Sequence, residues 1–152
     1  MINYFKLFAL SVIFIAVGAC KSNDDNVFCA EIYIPMVSNI NYVNENGKDL
    51  IFSDNPLYPV EGIEIYKIAP NDQHIPLSFT INSSQKFIAV NLEKMENGTF
   101  YIRLKSDVID RISYTAKIDE SDPCRDYKLK ELRQNDKAGQ YDTKTQVWTF
   151  KK

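Results

Sequence analysis

The chain has 152 residues, a quarter of them charged, and a formal net charge of −2, with 45% hydrophobic residues to supply the core of one domain. That balance lacks the basic footprint phosphate recognition needs, so no nucleic-acid partner is expected. The one histidine, His74, has no Gly-x-Ser-x-Gly elbow to serve and reads as an exposed loop residue, while the three cysteines lack the Cys-x-x-Cys spacing of a zinc site.

Residues 1–19 carry Lys6, an apolar run over 7–17 and the small residues Gly18 and Ala19 before Cys20, the pattern of a cleaved secretion signal. The run is shorter than the roughly 20 apolar residues of a membrane-spanning helix. Val17-Gly18-Ala19-Cys20 resembles the lipobox of bacterial lipoproteins, which implies that Cys20 becomes the acylated mature N-terminus. Several acyl chains hold a protein on a bilayer almost permanently. Lys21-Ser22-Asn23-Asp24-Asp25 is similar to the Lys-then-acidic export signal of Bacteroidota lipoproteins. That resemblance implies an outer-membrane anchor with the domain on the cell surface, the alternative being a periplasm-facing lipoprotein. Residues 20–27 offer nothing apolar to bury and read as a flexible tether; 28–152 form a single domain.

From Phe28 the apolar residues recur with period two. Strands are expected over 28–37, with an interruption near Pro35, then over 40–43 and 48–52 around a hairpin turn at Asn46-Gly47. The Pro-containing segment 53–60 is a connection or edge. Further strands follow over 62–68, 77–81 and 86–92. A second turn is expected at Asn97-Gly98, then strands over 100–105 (Phe100, Ile102 and Leu104 inward), 112–118, 127–133 and 146–150. About eight or nine short strands at this spacing predict an all-β, immunoglobulin-like antiparallel sandwich, with a small β-barrel as the alternative. Residues 44–66, with Asn44, Gly47, Asp49-Leu50, Asn55-Pro56 and Ile63-Glu64-Ile65-Tyr66, resemble a recurrent stretch of uncharacterised Bacteroidota lipoproteins. Asp49 and Asn55 are expected to bond the free backbone there.

In an oxidising compartment Cys29 and Cys124 are the natural disulfide pair, two free thiols being the alternative. Phe28, Ala30, Ile32 and Ile34 share one strand face, so Cys29 points the other way and a bridge belongs at an edge or on an outer face. Asp119, Glu120 and Asp122 form the densest acidic loop and a weak Ca²⁺ candidate, but they lack the glycine and distal Glu of an EF-hand, and a solvated turn is the simpler reading. Trp148 and Phe150 share a face of the last strand and read as core. Tyr33, Tyr66 and Tyr101 fall on outward positions and are the first candidates for a binding patch. Asn82-Ser83-Ser84 and Asn97-Gly98-Thr99 match the glycosylation pattern but read as turns.

No cofactor is implied. The expectation is a lipid-anchored binding or accessory module without catalytic activity, for a glycan or an envelope protein. A periplasm-facing inhibitor or assembly factor is the alternative, and a glycosidase built on two carboxylates the less favoured third reading.

Overall fold

The computed structural model describes Cys29 and residues 34–152. The signal segment, the lipobox with Cys20, the tether and Tyr33 lie outside the described residues.

Eleven strands are found among the described residues: β1 Met36–Val43, β2 Glu64–Ile68, β3 His74–Pro76, β4 Phe79–Asn82, β5 Phe87–Leu92, β6 Asn97–Lys105, β7 Val108–Ile118, β8 Tyr127–Gln134, β9 Lys137–Ala138, β10 Gln140–Asp142 and β11 Val147–Lys151. They form a five-stranded sheet, β10-β11-β1-β5-β4, and a six-stranded sheet, β3-β2-β6-β7-β8-β9. The period-two pattern is thus satisfied by a sandwich and not by a closed barrel. Pairing is antiparallel except between β1 and β11, which run parallel from Asn39↔Val147 to Val43↔Lys151.

The core forms where the inward rows of the two sheets meet. Ile88 and Ile40 occupy the middle of one row, in register with Ile81 and Trp148. Phe100, Ile102 and Leu104 of β6 face them, with Ile112, Tyr114 and Ala116 of β7 and Leu132 of β8 alongside. Trp148 and Phe150 are buried, as their shared face implied, and the Phe150 ring lies 5.6 Å from that of Tyr42.

Several boundaries differ from expectation. The break near Pro35 comes before β1, which then continues through Ser38 and Asn39, because Ser38 is small enough to sit in the core at 1% exposure. No second strand forms after the Asn44–Gly47 turn. Gly47 takes a φ of 78° and its N–H donates to the Asn44 carbonyl, but the returning chain makes only the bridge Val43↔Asp49. Asp49 explains why: its Oδ1 accepts from the amides of Ile51 and Phe52 at 2.8 and 2.7 Å, which turns the chain away. Asn97-Gly98 is not a turn either, but the start of β6.

Cys29 and Cys124 are disulfide-bonded, Cα atoms 5.4 Å apart, and both are exposed. The bridge lies on the β7–β8 loop, at the surface; the first apolar run, over 28 and 30–33, lies outside the described residues. Among the described residues no helix is long and apolar enough to cross a membrane.

Candidate binding face

Alternation along β2 and β6 sends Ile65 and Ile102 into the core and Tyr66 and Tyr101 to the outer face of the six-stranded sheet, where the two tyrosines are direct cross-strand partners. Their rings stack with centroids 5.6 Å apart and planes 15° from parallel. On the opposite side of Tyr66, from β3, the His74 imidazole stacks at 4.2 Å and 16°. The Arg103 guanidinium lies 5.5 Å from the Tyr66 centroid, within cation–π range, and its Nη1 donates to Glu64 Oε2 at 2.6 Å. Tyr66 is therefore only 5% exposed although it stands outside the core.

Two of the three candidate tyrosines come together in this way. The addition is His74, expected in an exposed loop and found in strand β3. It remains exposed, but the pairs Tyr66↔Pro76 and Ile68↔His74 bring β3 beside Tyr66. The available signal was Ile75-Pro76 just beyond the Pro70-Asn71-Asp72 turn, which suits a short edge strand.

The stacking sets what the ladder does. Both faces of Tyr66 are covered by neighbouring rings, so a sugar ring has no flat surface to lie on there. What the ladder offers a ligand is ring edges, hydroxyls and guanidinium groups. Register extends it: Arg111 of β7 is the partner of Tyr101, and its Nη2 donates to Asp136 Oδ1 at 2.6 Å.

Next to this row lies a shallow cavity of about 340 Å³ lined by Asn97, Thr99, Ser113, Thr115, Glu131 and Arg133, with Gly98 and Tyr114 beneath. A neighbouring hollow of about 520 Å³ shares Asn97 and Thr115 and continues to Lys117, Glu120 and Arg125. The floor is hydroxyl and amide, and the rims carry charges of both signs.

In the acidic loop 119–126, Asp119, Asp122 and Asp126 are each engaged by neighbouring groups. The Ser121 hydroxyl and amide donate to Asp119 Oδ1, at 2.6 and 3.1 Å, and hold that carboxyl below the usual range. Asp122 Oδ1 accepts from the Cys124 amide at 2.8 Å. The Lys94 ammonium, 2.7 Å from Asp126, lowers that carboxyl in the same direction, helped by the Tyr127 amide. Among the described residues no three His, Cys, Asp or Glu side chains converge to hold a metal ion.

One buried charge lies away from this face. Asp110 of β7 is 1% exposed in the core and is held by Lys152 Nζ at 3.0 Å, Gln134 Nε2 at 3.0 Å and Asn135 Nδ2 at 2.9 Å. Burial, and then the negative charge of Asp110, push the fully buried Tyr42 hydroxyl well above its ordinary value. The cluster knots β1, β7, β8 and the last residue together, which is a structural task.

No family model, curated protein or solved structure matches the chain.

Proposed function

We propose that the chain is a non-catalytic binding module, lipid-anchored through Cys20 to the outer membrane and carried at the cell surface, that holds a protein partner against the outer face of its six-stranded sheet. The observation that carries this reading is the ladder His74–Tyr66–Tyr101 with Arg103 and Arg111 beside it. Tyr and Arg are the residues most enriched where proteins dock. Preorganised by stacking and by ion pairs to Glu64 and Asp136, they lose little conformational freedom on binding. The face suits a partner in size: six strands at about 4.8 Å, with strands of 9 and 11 residues at its centre, span roughly 25 to 30 Å each way. That approaches the ~800 Å² each side of a standard interface contributes. The lipobox and the tether Lys21 to Asp25 support the location, with a periplasm-facing anchor as the competing orientation.

A second reading, a glycan in the trough, is favoured by the hydroxyls and amides of Thr99, Ser113, Thr115 and Asn97. Crosslinking in whole cells separates the two. Full-length protein is expected to give a discrete crosslinked protein species that disappears in a Tyr101→Ala, Arg111→Ala variant that keeps its thermal midpoint. A species that survives in that variant, or that soluble polysaccharide displaces, overturns the protein-docking reading.

A further inference from the structure

Each open sheet of the sandwich ends in two edge strands, whose outer backbone groups another strand can pair with. Here the edges are β3 and β9 of the six-stranded sheet and β4 and β10 of the five-stranded sheet. Three of them are blunted: β3 ends in Pro76, β9 has two residues and carries Lys137, and β10 is three exposed residues ending in Asp142. The exception is β4, Phe79-Thr80-Ile81-Asn82, which is the longest of the four and has neither charge nor proline.

Register fixes which backbone groups that edge presents. The Asn91 amide donates to the Ser78 carbonyl at 3.0 Å, so Ser78 and Asn91 form a hydrogen-bonded pair, and alternation makes Thr80 with Ala89 and Asn82 with Phe87 the next two. The N–H and C=O groups of Phe79 and Ile81 therefore point away from β5, and among the described residues β4 pairs with β5 alone. Their side chains pack against the core but are only half-buried, whereas Ile88 and Val90, their partners on β5, are fully covered. Thr80, between them, is exposed on the outer face. The apolar opening continues onto β3, which runs into β4 through Leu77 and Ser78 and leaves Ile75 38% exposed on the same side of the sandwich.

From this we infer that β4 is a dimerisation edge, and that its occupant is β4 of a second copy of the chain, running antiparallel about a twofold axis through Thr80. A row of outward N–H and C=O groups selects an extended strand, and the sequence of the edge selects its own copy. In that register Thr80 meets its counterpart, Phe79 of each chain meets Ile81 of the other, and Ser78 meets Asn82. The two Phe79–Ile81 pairs exchange the backbone hydrogen bonds, and their half-buried side chains cover one another; hydroxyl and amide groups face each other at the remaining positions. Any charge on this edge would meet the same charge near the axis, and the edge carries none. Area sets the strength. A strip about 17 Å long across two sheets about 10 Å apart contributes roughly 300 to 400 Å² per copy, about half of a standard interface, so the pair dissociates on dilution and forms where copies are concentrated. The twofold of an antiparallel pair stands normal to the sheet, so both six-stranded faces point the same way and the dimer presents two Tyr66–Tyr101 ladders side by side.

The test is sedimentation of the full-length protein in detergent across roughly 1 to 200 µM, together with cysteine crosslinking in whole cells. A monomer–dimer equilibrium is expected. Thr80→Lys puts a charge beside its own copy at an exposed site, and is expected to weaken the dimer about tenfold or more while leaving the thermal midpoint within about 3 °C. Thr80→Cys is expected to give a disulfide-linked homodimer on mild oxidation, since directly opposed residues of a pair without hydrogen bonds lie about 4.5 Å apart at Cα, within disulfide range. Ser78→Cys, about 14 Å from its counterpart in the same register, is expected to stay unlinked. The Tyr101→Ala, Arg111→Ala variant on the other sheet is expected to dimerise normally, so failure here is distinct from failure of the protein-docking reading. A monomer at every concentration, a dimer indifferent to Thr80→Lys, linkage through Ser78→Cys as ready as through Thr80→Cys, or linkage of Thr80→Cys to a different protein would each overturn the assignment.

Discussion

The ring of Tyr114 lies across Gly98, its partner in the β6–β7 register, so closely that a Cβ at Gly98 would sit 2.2 Å from the ring Cζ. The same tyrosine donates its hydroxyl to the Glu93 carbonyl at 3.0 Å, tying the β5–β6 loop to β7. Glycine is needed here for the ring it admits. Gly98→Ala is expected to expel the ring and destabilise the fold by about 2 to 3 kcal/mol, the scale of an overpacked core, whereas Tyr114→Phe loses the hydrogen bond to the Glu93 carbonyl and costs about 1 kcal/mol. Urea unfolding of both variants checks the order, and a Gly98→Ala cost below that of Tyr114→Phe refutes the close-approach argument.

Asp110 and Lys152 make the second case. Removing the lysine leaves a carboxylate at 1% exposure with two amide donors and no cation; removing the aspartate leaves an ammonium on a side chain that is 20% exposed and can turn to water. Lys152→Met is therefore expected to cost about 3 kcal/mol, within the range for an orphaned buried charge, and also gives up the contact of the ammonium with the Tyr58 ring, 5.9 Å away. A double variant, Asp110→Leu with Lys152→Met, is expected to recover part of that loss. Denaturant midpoints of the three proteins decide it, and a double variant no more stable than Lys152→Met alone rejects the account.

The contrast between these residues shows what alternation reveals. The inward phase of β6 was plain from Phe100, Ile102 and Leu104, whereas the expected strand 112–118 stopped short of Asp110, although the same alternation carried back from Ile112 falls on it; its charge hid a signal the pattern held. Gly98 was different. Asn97-Gly98 has the chemistry of a turn, and only the neighbouring strand's ring makes it strand, information that lies in register and not in local sequence. His74 failed for the same reason, since its partner Tyr66 belongs to another strand of the sheet. The parallel pairing of β1 with β11 and the two-residue strand β9 are likewise set by tertiary contacts, because neither has a periodicity of its own. The disulfide was legible by count, since with Cys20 assigned to the lipobox only Cys29 and Cys124 were left to pair. The candidate patch was legible as outward tyrosines, but their mutual stacking, which decides what they can bind, was not.

Stability should fall at both ends of the pH scale, for different groups. Asp119, Asp126 and Asp142 have folded values below the unfolded ones, so their contribution is present above about pH 4 and is lost as pH falls through the folded values. Tyr42 is raised, so its contribution is complete below about pH 10 and declines as pH climbs from there toward the folded value. Thermal melts from pH 2 to 11 are expected to give a plateau between the two limbs. Tyr42→Phe is expected to flatten the alkaline limb alone, and an alkaline limb unchanged in that variant removes Tyr42 as its cause.

The disulfide spans 95 residues of sequence between two exposed cysteines, so its effect must come chiefly from the unfolded chain and not from packing around the sulfurs. Loop-closure entropy for a span near 100 residues suggests about 4 to 5 kcal/mol, equivalent to a fall in thermal midpoint of roughly 10 to 20 °C for a domain of this size. The Cys29→Ser, Cys124→Ser variant is expected to show that fall, and wild type heated with reductant should match it. Under the proposed anchor at Cys20, the bridge fastens the chain nine residues after the lipid to the β7–β8 loop, so the variant is then expected to let the domain stand farther from the bilayer. Fluorescence transfer between a label on the β4–β5 loop and a bilayer dye reads that distance. A variant with a lower melting point and unchanged transfer would show that the bridge stabilises the fold without setting the height of the domain above the membrane.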